Sequence, residues 1–274
     1  MIFEQLFDAK SSTYTYIIAS GKGREALIID PVIEYTNEYI NILNNLKLKL
    51  VKVIDTHIHA DHITGLNELN KRTKCTRVMG EKSKSEVIDL KIKDNEKINI
   101  ENIELKAIYT PGHTDCSYSY LMNDRVFTGD TLLINGTGRT DFQNGSSYDA
   151  YESLFNRLLK LPKTTLVYPA HDYNGKKYST IETEINNNPR LQVNSAEQYA
   201  EIMNNLNLSS PTMMDMAVPA NVKGFTLAGT ATSIIFGFAR FRLFIMSAYS
   251  SFELTCNLGL LFLSVSIVEN FLPL

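Results

Sequence analysis

The chain is poor in cysteine, and its few cysteines are scattered. Cys75, Cys116 and Cys256 are odd in number and form no CxxC pair. This argues against a disulfide framework and a thiolate zinc knuckle, and it fits a reducing compartment. A surplus of positive charge is also missing: 27 Lys and Arg stand against 30 Asp and Glu, a formal net charge of −3. No broad basic surface follows, so nucleic acid is not expected as a partner. The N-terminus, Met1-Ile2-Phe3-Glu4-Gln5-Leu6-Phe7-Asp8, lacks both a basic region and a long apolar run. No secretory or mitochondrial address is legible there, and the cytoplasm is the expected location. No internal repeat or low-complexity segment is visible.

What is present is the composition of a folded globular protein, 44% apolar and 21% charged over 274 residues. Tyr14 to Ala19, Ala26 to Pro31 and Leu50 to Asp55 read as strands, the second stopped by proline. Residues 35–48 carry Tyr39, Ile40, Ile42, Leu43 and Leu46 at helical spacing, and a second helix is expected from about Thr64 to Arg72. The middle is strand-rich: Ile98 to Ile100, Ile103 to Tyr109, Tyr118 to Met122 and Arg125 to Thr128 read as two hairpins. A helix over 147–161, a strand over Leu166 to Pro169, and helices over 179–187 and 195–206 follow. Strands alternating with helices, together with hairpins, suggest two mixed sheets covered by helices.

The chemistry lies in the histidines. The chain has 5 of them, and all fall in turns that follow apolar strands. His57, His59, Asp61 and His62 come directly after Leu50 to Asp55. His113 sits in Thr110-Pro111-Gly112-His113, Asp130 in Thr128-Gly129-Asp130, and His171 in Tyr168-Pro169-Ala170-His171. One histidine at a strand end is usually just a polar residue on a rim. Grouped imidazoles and carboxylates at several strand ends point instead to a metal site, because these are the donors that suit iron and zinc.

With these residues the sequence resembles the metallo-β-lactamase superfamily, through its HxHxDH run at His57 to His62 with His113, Asp130 and His171. That resemblance implies an α+β fold, an αββα sandwich with the metal at the sheet edges. Further segments are more selective: Gly136-Thr137-Gly138-Arg139-Thr140-Asp141-Phe142-Gln143, Tyr168 to Tyr173, Asn188-Pro189-Arg190-Leu191 and Ala217-Val218-Pro219-Ala220-Asn221. Together they resemble the persulfide dioxygenases, over residues 1–224. One departure is visible: Thr114-Asp115-Cys116 follows His113 where that family carries a Pro-Gly before the cysteine. The shortened turn is expected to bear on the placement of His113.

The resemblance implies one Fe(II) per chain, held by His57, His113 and Asp130. Two imidazoles and one carboxylate on one face of an octahedron leave room for a substrate and O₂ together, as non-haem iron oxygenases require. His59, Asp61, His62 and His171 would complete a two-metal site in hydrolytic relatives; in a dioxygenase they orient the ligands and tune them by hydrogen bonds. Arg139, Tyr173 and Arg190 match the positions that bind glutathione, whose two carboxylates suit the planar fork of arginine. The implied reaction is oxidation of glutathione persulfide by O₂ and water to sulfite and glutathione. Relatives also suggest a homodimer. Cys75 and Cys116 read as buried small apolar residues rather than a persulfide relay.

Two rivals stand beside this reading. A glutathione thioester hydrolase of the glyoxalase II type shares the ligand set but uses two metals and a metal-bound hydroxide. A persulfide or redox sensor would keep the site without turnover. After Gly224 the composition changes sharply: residues 225–274 contain no lysine, and only Arg240, Arg242, Glu253 and Glu269 are charged. The uncharged runs 225–239 and 254–268 are each shorter than the roughly 20 residues of a spanning helix. The tail is therefore expected to be an interfacial membrane anchor, an accessory packed segment, or an artefactual extension of a domain that ends at 224.

Overall fold

The structure is a computed structural model and describes residues 1–224; the expectations for the tail 225–274 lie outside the described residues. The first half forms a six-stranded sheet in the order β1 (Ile2–Asp8), β2 (Thr13–Ala19), β3 (Glu25–Ile29), β4 (Lys49–Ile54), β5 (Thr76–Gly80) and β6 (Leu90–Ile92). Helices α1 (Thr36–Asn45) and α2 (Leu66–Thr73) connect β3 to β4 and β4 to β5. β1 to β3 are antiparallel neighbours, whereas β3 to β6 run parallel. Parallel neighbours need a crossover, and the two helices supply two of them.

The second half adds β7 (Lys97–Ile100), β8 (Ile103–Tyr109), β9 (Tyr118–Met122) and β10 (Arg125–Gly129), the small ribbon β11 (Leu132–Leu133) with β12 (Gly136–Thr137), then β13 (Leu166–Pro169) and β14 (Ser179–Thr180). The second six-stranded sheet has the order β14-β13-β10-β9-β8-β7. Its helices are α3 (Ser147–Phe155), α4 (Ile181–Asn187) and α5 (Ala196–Asn204), capped at their N-termini by the side chains of Ser146, Thr180 and Ser195. Helix α6 (Met214–Lys223) closes the described chain.

Period-two alternation explains the four layers, since successive strand residues face opposite sides. Tyr16, Ile18, Leu27, Ile29 and Ile54 point to the space between the sheets, where they meet Leu105, Ala107, Tyr120, Phe127 and Tyr168. The alternate residues Ile17, Ala19, Ala26, Ile28 and Val53 pack outward against Tyr39 and Leu43 of α1 and Leu66 and Leu69 of α2, with Val218 and Val222 of α6 alongside. On the far side, Val126 and Val167 pack against Ala150, Leu154, Ile181 and Tyr199. This is the αββα sandwich expected from the sequence.

Several elements depart from the apolar pattern. β1, β5, β6, the β11–β12 ribbon and α6 were not expected from it. The helix expected over 147–161 stops at Phe155 and is followed by a 3₁₀ turn at Leu158–Lys160 ahead of Pro162. The segment 179–187 begins with the two strand residues of β14 before α4 starts.

The sheet-to-sheet core gives a direct test. Ile18 is 0% exposed and sits between the layers. Ile18→Ala is expected to cost about 2–5 kcal/mol, as large-to-small core substitutions do. The shift in urea midpoint at unchanged slope measures it.

Candidate metal centre

β3 and β4 are parallel, so both end at the same rim. β8 and β10 are each antiparallel to β9, and β13 is parallel to β10, so all three also end on one side of their sheet. The loops after β4, β8, β10 and β13 carry His57, His113, Asp130 and His171. The two rims are stitched together: Tyr14 N–H donates to the Ala170 carbonyl at 2.7 Å and Tyr118 N–H to the Thr56 carbonyl at 2.9 Å.

His57, His113 and Asp130 each bring one donor atom into a group whose members lie within 4.8 Å of one another. His113 Nε2 is 3.4 Å from Asp130 Oδ2, and His57 Nε2 is 3.9 Å from the same oxygen. The tautomers follow from the outward-facing nitrogens. His113 Nδ1 lies 2.8 Å from the Arg139 carbonyl, which only accepts, so Nδ1 carries the hydrogen and Nε2 presents a lone pair. Thr56 Oγ1 donates to Asp30 Oδ2 at 3.0 Å and thus accepts from His57 Nδ1 at 3.0 Å, which again leaves Nε2 free. Burial, helped by the neighbouring His59 and His113, pushes the His57 imidazolium pKa well below its usual value, so the ring is neutral and ready to ligate. Asp130 Oδ1 is buried without a hydrogen-bond partner among the described residues. Two aimed lone pairs and an under-satisfied carboxylate fit a cation with the two-histidine, one-carboxylate donor set. The turn at Asp115-Cys116 leaves His113 inside the group; Thr114 and Ser117 hydroxyls close that turn at 2.8 Å.

His59, Asp61 and His62 form a second group with donors within the same 4.8 Å. His171 Nδ1 donates to the Ser12 carbonyl at 3.1 Å, and its Nε2 stands 3.6 Å from both Asp61 Oδ2 and Asp130 Oδ1. His59 Nδ1 and His62 Nε2 are buried without partners among the described residues. Burial opposes the charge on Asp61, yet His62 and His171 hold its pKa well below the usual value. The donor set alone therefore accommodates a second cation. Beneath it, Asp30, Asp55 and His59 form a fully buried trio. Burial raises the pKa of Asp55 and favours its neutral form; against burial, the Asp30 carboxylate raises that of His59.

Two glycines make the approach possible. Gly129 has φ +53°, and a Cβ there would stand 2.6 Å from Thr56 Oγ1. A Cβ at Gly138 would stand 2.1 Å from the Asp130 carbonyl oxygen and 3.0 Å from the His113 ring.

A cavity of about 680 Å³ opens onto Asp61, His113, Asp130 and His171. Arg139, Tyr173 and Arg190 all line it. Their states differ. Arg139 Nε and Nη2 grip Asp141 at 2.7 and 2.8 Å, while Nη1 and Nη2 donate to the carbonyls of Ser209 and Leu208. Of the five guanidinium N–H groups, one is left without a partner among the described residues. Among the described residues, the Arg190 guanidinium donates only to the Thr137 carbonyl and forms no ion pair. Tyr173 is 73% exposed, and its ring lies parallel to His171 with centroids 6.2 Å apart. Cys75 and Cys116 are buried free thiols, and burial raises the pKa of both. Neither presents a thiolate; Cys256 lies outside the described residues.

Some contributors were not singled out from sequence. Asp30 and Thr56 set the His57 tautomer, and the Ser12 carbonyl sets that of His171. Asn221 on α6 accepts from Thr64 N–H and donates to the carbonyls of His59 and His62, each at 2.9 Å. Its motif was legible in the sequence, but its role was not.

A family model for the metallo-beta-lactamase superfamily matches residues 9–89 and 81–171, and the chain belongs to that superfamily. The mitochondrial persulfide dioxygenase ETHE1 of Mus musculus is 41% identical over 226 residues, covering 81% of this chain and 88% of that protein. The crystal structure of ETHE1 from Myxococcus xanthus matches with a TM-score of 0.79 and 46% identity, over 81% of this chain and 98% of that one. The hydroxyacylglutathione hydrolase of Dictyostelium discoideum is 33% identical over 212 residues, covering 73% of this chain and 77% of that protein. Within the superfamily, the chain is a member of the persulfide dioxygenase family.

Two outcomes follow from this geometry. Asn221→Ala strands a buried N–H and two carbonyls at the metal loop. It is expected to lower stability by roughly 2–4 kcal/mol and to reduce metal retained after dialysis, read by denaturation and elemental analysis. Iodoacetamide at neutral pH is expected to spare Cys75 and Cys116 in the native protein and to modify both after unfolding, as peptide mass spectrometry reports.

Proposed function

We propose that this enzyme oxidises glutathione persulfide with O₂ and water to sulfite and glutathione, using one Fe(II) per chain held by His57, His113 and Asp130. The observation that carries the reading is the match to persulfide dioxygenases, at higher identity and over more of the chain than the match to the hydroxyacylglutathione hydrolase. Iron bound to this triad would supply neighbouring open positions for the persulfide sulfur and O₂, and the electrons that activate O₂.

The chain's own residues supply placement. The Arg139 carbonyl and Thr56 Oγ1 fix the two imidazoles so that their Nε2 lone pairs converge. Arg190 offers its uncommitted donors to a glutathione carboxylate, with Tyr173 and the remaining donor of Arg139 beside it in the same cavity. Holding the tripeptide there brings its terminal sulfur to the triad and turns a collision into a positioned reaction. His59, Asp61, His62 and His171 orient the triad and its surroundings. A reducing compartment such as the cytoplasm fits the free Cys75 and Cys116.

The hydrolase of the glyoxalase II type stays as a second reading because the group His59, Asp61 and His62 has metal-ligand spacing of its own. Oxygen uptake and metal analysis on the same preparation separate the two. The dioxygenase reading expects O₂ consumption matched by sulfite release, with about one iron per chain. Absence of O₂ uptake and sulfite, with about two metals per chain and cleavage of a glutathione thioester, would sink it.

A further inference from the structure

The cavity presents a charge problem that the expected substrate residues leave half solved. Glutathione persulfide carries two carboxylates, and each calls for a cation when it leaves water. Arg190 can serve one. Arg139 is poorly placed for the other, because its charge is matched by Asp141 and two further donors hold the backbone of Leu208 and Ser209, which leaves a single N–H for a ligand. Those two residues line the cavity, so Arg139 acts there as a latch on the wall.

Among the described residues, one further cation lines the cavity: Lys10, in the turn between β1 and β2. That turn is firmly built. Asp8 accepts from Lys10 N–H at 3.1 Å, from Ser11 N–H at 3.0 Å and from Ser11 Oγ at 2.5 Å. The adjacent Ser12 carbonyl receives His171 Nδ1, so the turn belongs to the metal centre as well as to the cavity wall. The Lys10 ammonium is exposed and has no ion pair or hydrogen bond among the described residues. Asp8, the nearest acid in sequence, spends its carboxylate on the turn itself.

We infer that Lys10 receives the second carboxylate of the glutathione moiety, with Arg190 on the first. The inference rests on the glutathione persulfide reading and adds a specificity residue to it. Lysine acts as a flexible point charge rather than a fork. Its exposure limits the gain to that of a solvent-facing ion pair.

The test compares wild type, Lys10→Met and Lys10→Arg, all iron-loaded, in O₂-uptake assays. Lys10→Met is expected to raise KM for glutathione persulfide about 2- to 5-fold while kcat stays within about 1.5-fold, and Lys10→Arg is expected to restore most of the loss. With the persulfide of a glutathione whose carboxylates are both esterified, wild type and Lys10→Met should behave alike. An unchanged KM, or an equal loss with the esterified substrate, overturns the inference. Calorimetric binding of reduced glutathione to the same proteins separates this from failure of the function itself. If wild type consumes no O₂, the dioxygenase reading falls. Weaker glutathione binding by Lys10→Met then still supports the Lys10 contact, and equal binding, or none by either protein, removes it.

Discussion

The site depends on Asp30. This residue closes β3 in the left-handed region, φ 50°, and its carboxylate reaches across to the loop after β4. It accepts from Thr56 N–H at 2.7 Å and Thr56 Oγ1 at 3.0 Å, and it lies 3.2 Å from His59 Nε2. Because Thr56 Oγ1 is thereby a donor to Asp30, it can only accept from His57. One buried carboxylate thus holds two parallel strand ends together, sets the His57 tautomer and turns His59. Low local dielectric makes each of these bonds strong and makes any vacancy among them costly.

The same logic spreads around the rim. Each outward ring nitrogen of His57, His113 and His171 is tied to a group that fixes the hydrogen there, and each Nε2 is directed inward. Such outer partners are how a fold aims ligands before any cation arrives. The price of that arrangement is visible in buried polar atoms with no partner among the described residues: Asp130 Oδ1, His59 Nδ1 and His62 Nε2. Buried polar groups are normally satisfied, so their clustering marks where the protein is built for a non-protein partner. The two metal-spaced groups meet through Asp130 and His171, where His171 Nε2 stands 3.6 Å from Asp130 Oδ1.

Much of the fold was legible because the central strands are buried on both faces or alternate cleanly. β2, β3, β4, β8, β9, β10 and β13 all read correctly from apolar runs between turn residues. The missed elements carry weaker signals. β1 is an edge strand with polar Glu4 and Gln5 in its middle; β6 has three residues, one of them lysine. α6 contains Pro219, which removes a helix hydrogen bond and argues against a helix. Packing of Val218 and Val222 on the first sheet, and the bonds of Asn221 to the metal loop, outweigh that penalty.

Sequence alone determined the donor chemistry: which imidazoles and carboxylates exist, and that each follows a strand. A strand end is a local property, written in apolar runs and the turn residues after them. Which of those donors meet at one point is a long-range property, set by parallel strand order and by contacts between residues more than a hundred positions apart, such as Asn221 with His59 and Ser12 with His171. Tertiary structure also decided the state of each arginine. A guanidinium in a motif carries no record of its partner, so only folding revealed that Arg139 is committed to Asp141 while Lys10, in an ordinary polar turn, lines the cavity with no ion pair among the described residues.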